Sequence, residues 1–521
     1  MEMQQSFKID SIMKKPFFIN RKVRLGLFIR PAIYSFKMFH ANDAVHSIYL
    51  KGEWENMDAQ TKASLDGRTE KLKMPNLVPW KERVSYGLSD FACNLSFQMV
   101  GTYLMYFYTD VFGISAAIVG TLFLVARIVD AFDGPFWGIM IDHTHTKWGK
   151  SRPYFLWFSI PFAVFCVLVF STPSMSLTSK IVWAYITYIG VDILYSAVNI
   201  PITSILPSLT NNPNERVTLS TIRQFLGTAG GTLVSVLTLP MVNALGNGNE
   251  KQGFFLTSLI IAIIVVAIFM ITFKNTHERI QTKQSKKSIP IKVAVKALKK
   301  NWPWAIIIFI NFIYWLGMQT KSQVTVYFFK YNMHQAGLAS LILGLQVIAL
   351  VAVVATPATA KKIGKRNTML MGMILAILGQ LILGVGAHTL SITTIIIATI
   401  VGYLGTGYVS GLIAVMLADS VDYGEWKNGV RAEGIVTSFS SFSAKLGMGL
   451  GGAITGAILS AGGYIANAAQ SSAALRAIEA NYVWVPIIGF GLSALALVFY
   501  KVDKIEVKMQ RDLELKHQAE N

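Results

Sequence analysis

Residues 253–273, G-F-F-L-T-S-L-I-I-A-I-I-V-V-A-I-F-M-I-T-F, form an unbroken apolar stretch with no charged side chain. A helix needs about twenty consecutive apolar residues to cross the hydrocarbon core of a bilayer. This stretch has that length, and a basic residue follows it directly at Lys274. We therefore interpret it as a membrane-spanning helix.

The rest of the chain has the same character. Of its 521 residues, 53% are hydrophobic and 14% are charged, whereas a soluble domain carries roughly 25% charged residues. The sequence predicts an all-α integral membrane protein with about twelve transmembrane helices. The predicted spans are 86–109, 114–141, 153–173, 180–206, 218–243, 253–273, 303–330, 336–360, 368–388, 391–418, 434–463 and 482–501.

The charges are strongly biased towards the basic side, with 47 Lys and Arg against 28 Asp and Glu and a formal net charge of +19. In a soluble protein such a bias is typical of nucleic-acid binding. Here the basic residues follow the even-numbered spans, as Lys147 and Arg216 do, while the loops after the odd-numbered spans contain few Lys or Arg residues. The positive-inside rule then predicts that both termini are cytoplasmic, with membrane lipid and not nucleic acid as the partner.

The longest basic segment, 274–302, divides the spans into two sets of six, at 81–273 and 303–502, before a cytoplasmic tail at 503–521. Secondary transporters built from two such halves hold their substrate near the middle of the membrane. Residues 1–80 contain no span. We expect them to be either a disordered tail or, up to residue 56, a translated leader before a native start at Met57 or Met74.

Several ionisable residues lie inside apolar spans, where a charge is costly and marks a functional site. Asp130 and Asp133 are three residues apart on one helix face. They are expected to share a cation or a proton, or to form a structural pair with Arg127. Lys445 lies near the middle of its span and needs an acidic partner, for which Asp130 and Asp133 are the candidates, and Arg223 is a further intramembrane cation.

The polar uncharged residues of the spans suit a sugar, which is recognised through many hydroxyl groups. They are Asn94, Gln98, Ser196, Asn199, Thr203, Ser440, Ser441 and Ser443. No spaced nucleophile and base and no cluster of metal ligands occurs in the sequence, and Cys93 and Cys166 both lie in apolar runs. The pattern therefore indicates a transporter and not an enzyme, with no cofactor and no bound metal.

Several motifs resemble the glycoside–pentoside–hexuronide:cation symporters of the major facilitator superfamily, and the likeness covers roughly residues 80–505. They are SYGL at 85–88, YLMYFYTD at 103–110, RIVDAFDGP at 127–135, DHTHTKWGKSRPY at 142–154, NIP at 199–201, DSVDYGEWK at 419–427 and RAEG at 431–434. The resemblance implies the major facilitator fold, a bacterial cytoplasmic membrane location, and symport of a glycoside, pentoside or hexuronide with H⁺ or Na⁺. The alternative is a facilitator or exchanger without ion coupling.

By the same resemblance, Asp130, Asp133 and Ser196 belong to the cation site. Gly134 stands where the family has its second acid, and Asp133 stands where it often has Asn. This departure favours H⁺ over Na⁺ as the coupling ion and leaves Na⁺ open.

The resemblance also assigns a sugar site and a cytoplasmic gate. The sugar-site residues are Asn94, Asn199, Thr203, Arg223, Ser440, Ser441 and Lys445, which leave both an anionic glucuronide and a neutral xyloside or galactoside open as substrate. The gate residues are Asp142, Lys150 and Arg152 in one half and Asp419, Asp422, Glu425 and Arg431 in the other. Their charges are expected to hold the outward-open state and to separate as the two halves rock.

Overall fold

The structure, a computed structural model, describes residues 77–210, 212–280, 298 and 300–520. The expected leader and its alternative starts at Met57 and Met74 lie outside the described residues, as does most of the predicted linker at 274–302. The described part is helical almost throughout, and within it the isolated bridge between Thr146 and Gly149 is the sole β-type pairing.

The helices before and after the linker are called the first and the second half. The first half contains α1 (Trp80–Tyr106), α2 (Ala116–His143), α3 (Arg152–Trp157), α4 (Ser159–Val169), α5 (Leu177–Leu209), α6 (Pro213–Gly246) and α7 (Glu250–Asn275). The second half contains α8 (Trp302–Tyr327), α9 (Leu338–Gly344), α10 (Ala349–Ile363), α11 (Lys365–Thr389), α12 (Ile392–Asn428), α13 (Glu433–Ala461), α14 (Ser472–Glu479) and α15 (Val485–Val498). A last helix, α16 (Glu506–Glu520), follows them.

Short irregular turns continue or join some of these helices. π-Helical turns at Phe107–Val111 and Phe328–Asn332 prolong α1 and α8. A third π-helical turn at Ala480–Trp484 joins α14 to α15, and a 3₁₀ turn at Leu345–Ile348 joins α9 to α10. The two predicted spans at 336–360 and 482–501 are therefore each built from more than one helical segment.

Within the described residues, nine helical segments are long and apolar enough to cross a membrane. The predicted spans at 86–109, 114–141 and 153–173 are helical but do not meet that criterion. The reason for α2 is its three charged side chains, Arg127, Asp130 and Asp133, and the third span is divided between α3 and α4. The multi-span helical membrane fold is confirmed, while the count of twelve stays a prediction.

Helix α12 extends to Asn428, beyond the predicted end of its span at residue 418. Its end is set by Gly429, whose left-handed backbone (φ 71°) suits glycine and whose amide donates to the Glu425 carbonyl at 2.8 Å. Residues 419–428, most of which are polar or charged, thus extend the helix beyond its apolar stretch. A prediction from hydropathy alone ends the helix too early.

The two halves meet where α2 packs on α13, α1 on α8, and α6 on α9. Small residues allow these helices to approach closely. A Cβ atom on Gly456 of α13 would collide with the Ala116 carbonyl oxygen of α2, and one on Gly447 would collide with the Phe312 carbonyl oxygen of α8. Helix α13 is therefore held against both halves along the stretch that carries Lys445.

Candidate functional site

The centre of the site is a network of charges on α2 and α5. Arg127 forms an ion pair with Asp130, one turn further along α2. The same guanidinium reaches across to α5, where its Nη2 donates to the Tyr188 hydroxyl at 3.0 Å and lies 3.4 Å from Asp192 Oδ2. Arg127 thus joins two carboxylates that belong to different helices.

Lys445 joins this network from the second half of the molecule. Its Nζ donates to Asp130 Oδ1 at 2.8 Å. The partner that a lysine so deep in a span requires is therefore Asp130. The Asp130 side chain is 3% exposed and the Lys445 side chain is 32% exposed, so the carboxylate depends on this partner more than the ammonium group does. The pair links α2 to α13 across the interface between the halves.

Asp133 lies beside this pair, 5% exposed. Ser196 of α5 lies close enough to interact with its carboxylate. Its other oxygen, Oδ2, is buried and has no hydrogen-bond partner among the described residues. The three residues that the sequence assigns to cation coupling, Asp130, Asp133 and Ser196, therefore lie together, and a buried carboxylate oxygen is available there for a proton or a cation.

A glycine on α13 makes room for the network. A Cβ atom on Gly449 would collide with the aliphatic stem and the Nε of Arg127. The glycine lies one helical turn beyond Lys445, so the same face of α13 both pairs with Asp130 and accepts the Arg127 side chain. The arrangement depends on the two halves being in contact at this depth.

A cavity adjoins the network, with about 590 Å³ of space that is free of protein atoms and in part open to solvent. Both halves line it with polar and aromatic side chains, namely Phe97, Arg127, Phe162, Tyr188, Asp192, Tyr195, Gln319 and Gln323. The rings of Phe97 and Tyr195 are stacked with their centroids 5.3 Å apart. Gln323 Oε1 is buried without a hydrogen-bond partner among the described residues. Such a mixture of rings and polar groups suits a sugar.

Three of the predicted sugar-site residues lie around α1. The Arg223 guanidinium of α6 lies within electrostatic range of both Tyr86 and Asp90. Asn94 Nδ2 donates to the Asp90 carbonyl at 2.9 Å, and Asn199 of α5 interacts with the adjacent thiol of Cys93. These residues form a second polar group, which does not itself line the 590 Å³ cavity.

The remaining predicted sugar-site residues are placed differently. Thr203 is exposed, and its hydroxyl donates to the Ile200 carbonyl of its own helix at 2.8 Å. Ser440 accepts hydrogen bonds from Asn311 of α8, and Ser441 is exposed. In this conformation the structure does not bring the three hydroxyl groups to the cavity, and their role in sugar binding stays a prediction.

The two halves are closely joined at the end of the bundle that carries the loops 112–115 and 462–471, called the bare end. Asp110 accepts hydrogen bonds there from the Tyr331 and Tyr464 hydroxyl groups, the latter at 2.6 Å, and lies 3.1 Å from Lys330 Nζ. Burial and the nearby Asp110 raise the pKa of Tyr464, so its phenol stays protonated and donates. A further bond joins Thr109 to Tyr327 at 2.7 Å.

The opposite end, with the loops 144–151 and 429–432, is called the basic end, and its predicted gate residues pair within their own halves. The backbone amides of Lys150 and Arg152 donate to Glu278, and Asp142 is exposed. In the second half Asp419 pairs with Lys365, while Asp422 and Glu425 pair with Arg431 and raise its pKa. The bonds of Lys150, Arg152, Asp419 and Arg431 that are described here each stay on one side of the linker between the halves. Their role as a gate stays a prediction.

Comparison with known proteins places this arrangement in a family. Residues 85–504 match the family model described as MFS/sugar transport protein. The chain belongs to this family. It is 76% identical to the isoprimeverose transporter of Lactiplantibacillus pentosus over 448 residues, which are 86% of this chain and 94% of that protein. It is 31% identical to the glucuronide carrier protein homolog of Escherichia coli, over 82% of this chain and 93% of that protein.

Solved structures show the same fold as this sugar transporter. The nucleoside transporter NupG matches with a TM-score of 0.59 at 15% identity, over 81% of this chain and all of that one. A bacterial homolog of the human lysosomal transporter Spinster, in an inward-facing and unoccupied conformation, matches with a TM-score of 0.57 at 15% identity over 83% and 97%. The family and its named relatives confirm a multi-pass sugar transporter of the bacterial inner membrane, not an enzyme.

Sequence reasoning missed two intramembrane acids of this MFS sugar transporter. Asp192 lies within the predicted span 180–206 and Asp90 within 86–109. The rule that singled out Asp130, namely that a charge in an apolar span is functional, applies equally to both. By contrast, no sequence signal pairs Asp110 with residues of the second half, because that contact depends on how the halves meet.

Proposed function

We propose that the protein is a cation-coupled glycoside symporter that works by alternating access, with H⁺ as the coupling ion. The observation that supports it most directly is the ion pair between Lys445 and Asp130, which joins the two halves beside the central cavity. A cation that binds at Asp130 or Asp133 competes with Lys445 for the same negative charge. Lys445 then becomes available to the hydroxyl groups of a sugar, so each ligand changes the affinity for the other.

The charge of the site supports a neutral sugar as substrate. Both cations that the sequence assigns to the sugar site face carboxylates, because Lys445 pairs with Asp130 and Arg223 lies near Asp90. An anionic glucuronide would have to displace one of these acids. Together with the 76% identity to a protein named isoprimeverose transporter, this supports isoprimeverose, a neutral disaccharide of xylose and glucose, as the transported glycoside.

The contacts between the halves support an inward-open state. The Asp110 contacts join the two halves at the bare end, whereas at the basic end Asp419 and Arg431 pair within the second half. The positive-inside rule assigns the basic end, and with it both termini, to the cytoplasm. In this proposal the coupling ion and the sugar are released from this state to the cytoplasm before the empty carrier returns.

A second function, uncoupled facilitation or exchange, has one observation in its favour. Both oxygens of Asp130 are engaged, one by Arg127 and the other by Lys445. If neither cation gives way during the cycle, Asp130 has no oxygen for a coupling ion, and the carrier would only equilibrate its sugar.

Transport by the purified protein in liposomes distinguishes the two functions. Labelled isoprimeverose is added with an inward H⁺ gradient, an inward Na⁺ gradient or no gradient, and unlabelled xylosides, galactosides and glucuronides serve as competitors. We expect accumulation above equilibrium with the H⁺ gradient and competition by neutral xylosides. One charge crossing roughly 100 mV supplies about 2.3 kcal/mol, which supports an accumulation of about 50-fold.

The other outcomes of this experiment are equally informative. Accumulation with the Na⁺ gradient alone would show that the protein is a symporter whose coupling ion is Na⁺ and not H⁺. Uptake that only equilibrates under every gradient would establish the facilitator. Competition by glucuronides and not by xylosides would overturn the assignment of a neutral substrate.

A further inference from the structure

Asp192 is a half-buried carboxylate that the coupling mechanism above does not use. It lies on α5, in the middle of a predicted span, and lines the central cavity. Its Oδ2 is 3.4 Å from Arg127, and its Oδ1 has no hydrogen-bond partner among the described residues. A carboxylate at this depth in a membrane protein needs a positive partner or a bound proton.

The charges around Arg127 do not balance. Three carboxylates, Asp130, Asp133 and Asp192, lie within electrostatic range of one another. Two cations, Arg127 and Lys445, oppose them in the same group. Three negative charges against two positive charges leave one negative charge, which a single monovalent cation neutralises.

A second observation indicates that this charge belongs to a ligand. Asp133 Oδ2 is buried without a hydrogen-bond partner among the described residues, in the same group of charges. A buried carboxylate oxygen left unpaired is costly, and the cost is removed when a proton or a metal cation binds it. The unpaired oxygen and the uncompensated charge thus point to the same occupant.

Asp192 differs from the other two acids in its access to the cavity. Its side chain is 15% exposed, against 3% for Asp130. Arg127 connects the two acids directly, because one Nη pairs with Asp130 and the other faces Asp192. A cation that binds Asp192 from the cavity therefore weakens the electrostatic attraction between this acid and Arg127. Because Arg127 also pairs with Asp130, the interaction at Asp130 changes as well.

We propose that Asp192 is the third carboxylate of the coupling site, and the one at which the single coupling cation exchanges with the cavity. It adds a carboxylate from α5 to the two that α2 provides. This inference rests on the proposed symport. The charged and titratable groups that face Asp192 come from three elements and are Arg127, Asp130 and Asp133 of α2, Tyr188 and Tyr195 of α5, and Lys445 of α13.

The test compares Asp192→Asn with Asp192→Glu and with the parent protein in liposomes. Asn keeps the shape and removes the charge, while Glu keeps the charge. The control is Glu514→Gln on α16, an acid-to-amide change at an exposed position. Two quantities are measured for each protein, namely the rate of sugar counterflow, which needs no net ion movement, and the cation concentration that gives half-maximal uptake, over a pH series and a Na⁺ series.

We expect Asp192→Asn to keep counterflow while the half-saturating cation concentration rises about tenfold or more, within the range typical of coupled ligands. Asp192→Glu is expected to restore most of the cation affinity. An unchanged half-saturating concentration in Asp192→Asn would overturn the inference. So would a loss of counterflow in both variants with protein present in the membrane, since Asp192 would then merely support Arg127.

The failure of this inference is distinguishable from a failure of the proposed function. If the parent protein shows no dependence on H⁺ or Na⁺, the symport itself is wrong and Asp192 has no cation to exchange. If the parent depends on one of them and Asp192→Asn has the same dependence, the symport stands and the role of Asp192 alone is wrong.

Discussion

Replacement of Asp130 by asparagine is expected to abolish the uphill accumulation of sugar while sugar counterflow persists. Asparagine preserves the shape of the side chain but cannot bind a proton or hold a cation, so the gradient is no longer linked to the sugar. The ratio of internal to external sugar should fall from about 50 to about 1 at roughly 100 mV. Labelled sugar uptake in liposomes measures both quantities in the same preparation.

Two comparisons make the Asp130→Asn result specific. Glu514→Gln, the acid-to-amide change on the exposed face of α16, should accumulate sugar as the parent does. Lys445→Gln should also be impaired, because it removes the ammonium group that binds Asp130 Oδ1 and leaves Arg127 as the remaining partner of this buried acid. If Asp130→Asn still accumulates sugar against its gradient, Asp130 does not couple the ion, and the charge network is structural.

Replacement of Gly449 by alanine is expected to lower the rate of sugar transport about tenfold or more. The added Cβ would collide with the stem of Arg127, which must then leave its position between Asp130 and Asp192. Overpacking of this kind costs about 1–3 kcal/mol. Here the strain arises at the contact between the two halves. Initial uptake rates, divided by the amount of protein in the membrane, measure the effect.

Gly491 of α15 provides the matched control for this substitution. It is also a helical glycine, and a Cβ atom there would meet nothing within 4 Å. Gly491→Ala should therefore transport sugar at the parental rate. Transport at the parental rate by Gly449→Ala would show that Arg127 has room to move against α13. The close contact between Arg127 and α13 would then have no role in transport.

The sequence was sufficient to predict the parts of the fold that depend on local hydrophobicity. The apolar stretches correspond to helices, while the division of the chain at its basic linker stays a prediction. The depth of Lys445 in its span also led to the expectation of an acidic partner, and in the structure this partner is Asp130. Hydropathy did not reveal where α12 ends, because most of the residues from Asp419 to Asn428 are polar or charged and yet remain helical up to Gly429.

The candidate site was predictable where its residues share one helix and not where it is assembled from several. Asp130 and Asp133 were found from their spacing, whereas Asp192 approaches them from α5 through Arg127. The Asp110 contacts are likewise made between helices of different halves. The pairing of the predicted gate residues also depends on the conformational state, which a sequence does not specify. In the present state Arg431 stays with its own helix neighbours, Asp422 and Glu425.

The central claim is that each sugar enters with one cation, and the most direct measurement of it is sugar-evoked ion movement. A pulse of isoprimeverose is added to de-energised vesicles that contain the protein, while electrodes record external pH and Na⁺. The proposed H⁺ coupling, with one monovalent cation to balance three carboxylates against two cations, predicts a transient alkalinisation of the medium with about one proton per sugar. Entry of the sugar with no change in either electrode would contradict the account and establish a carrier that only equilibrates its substrate.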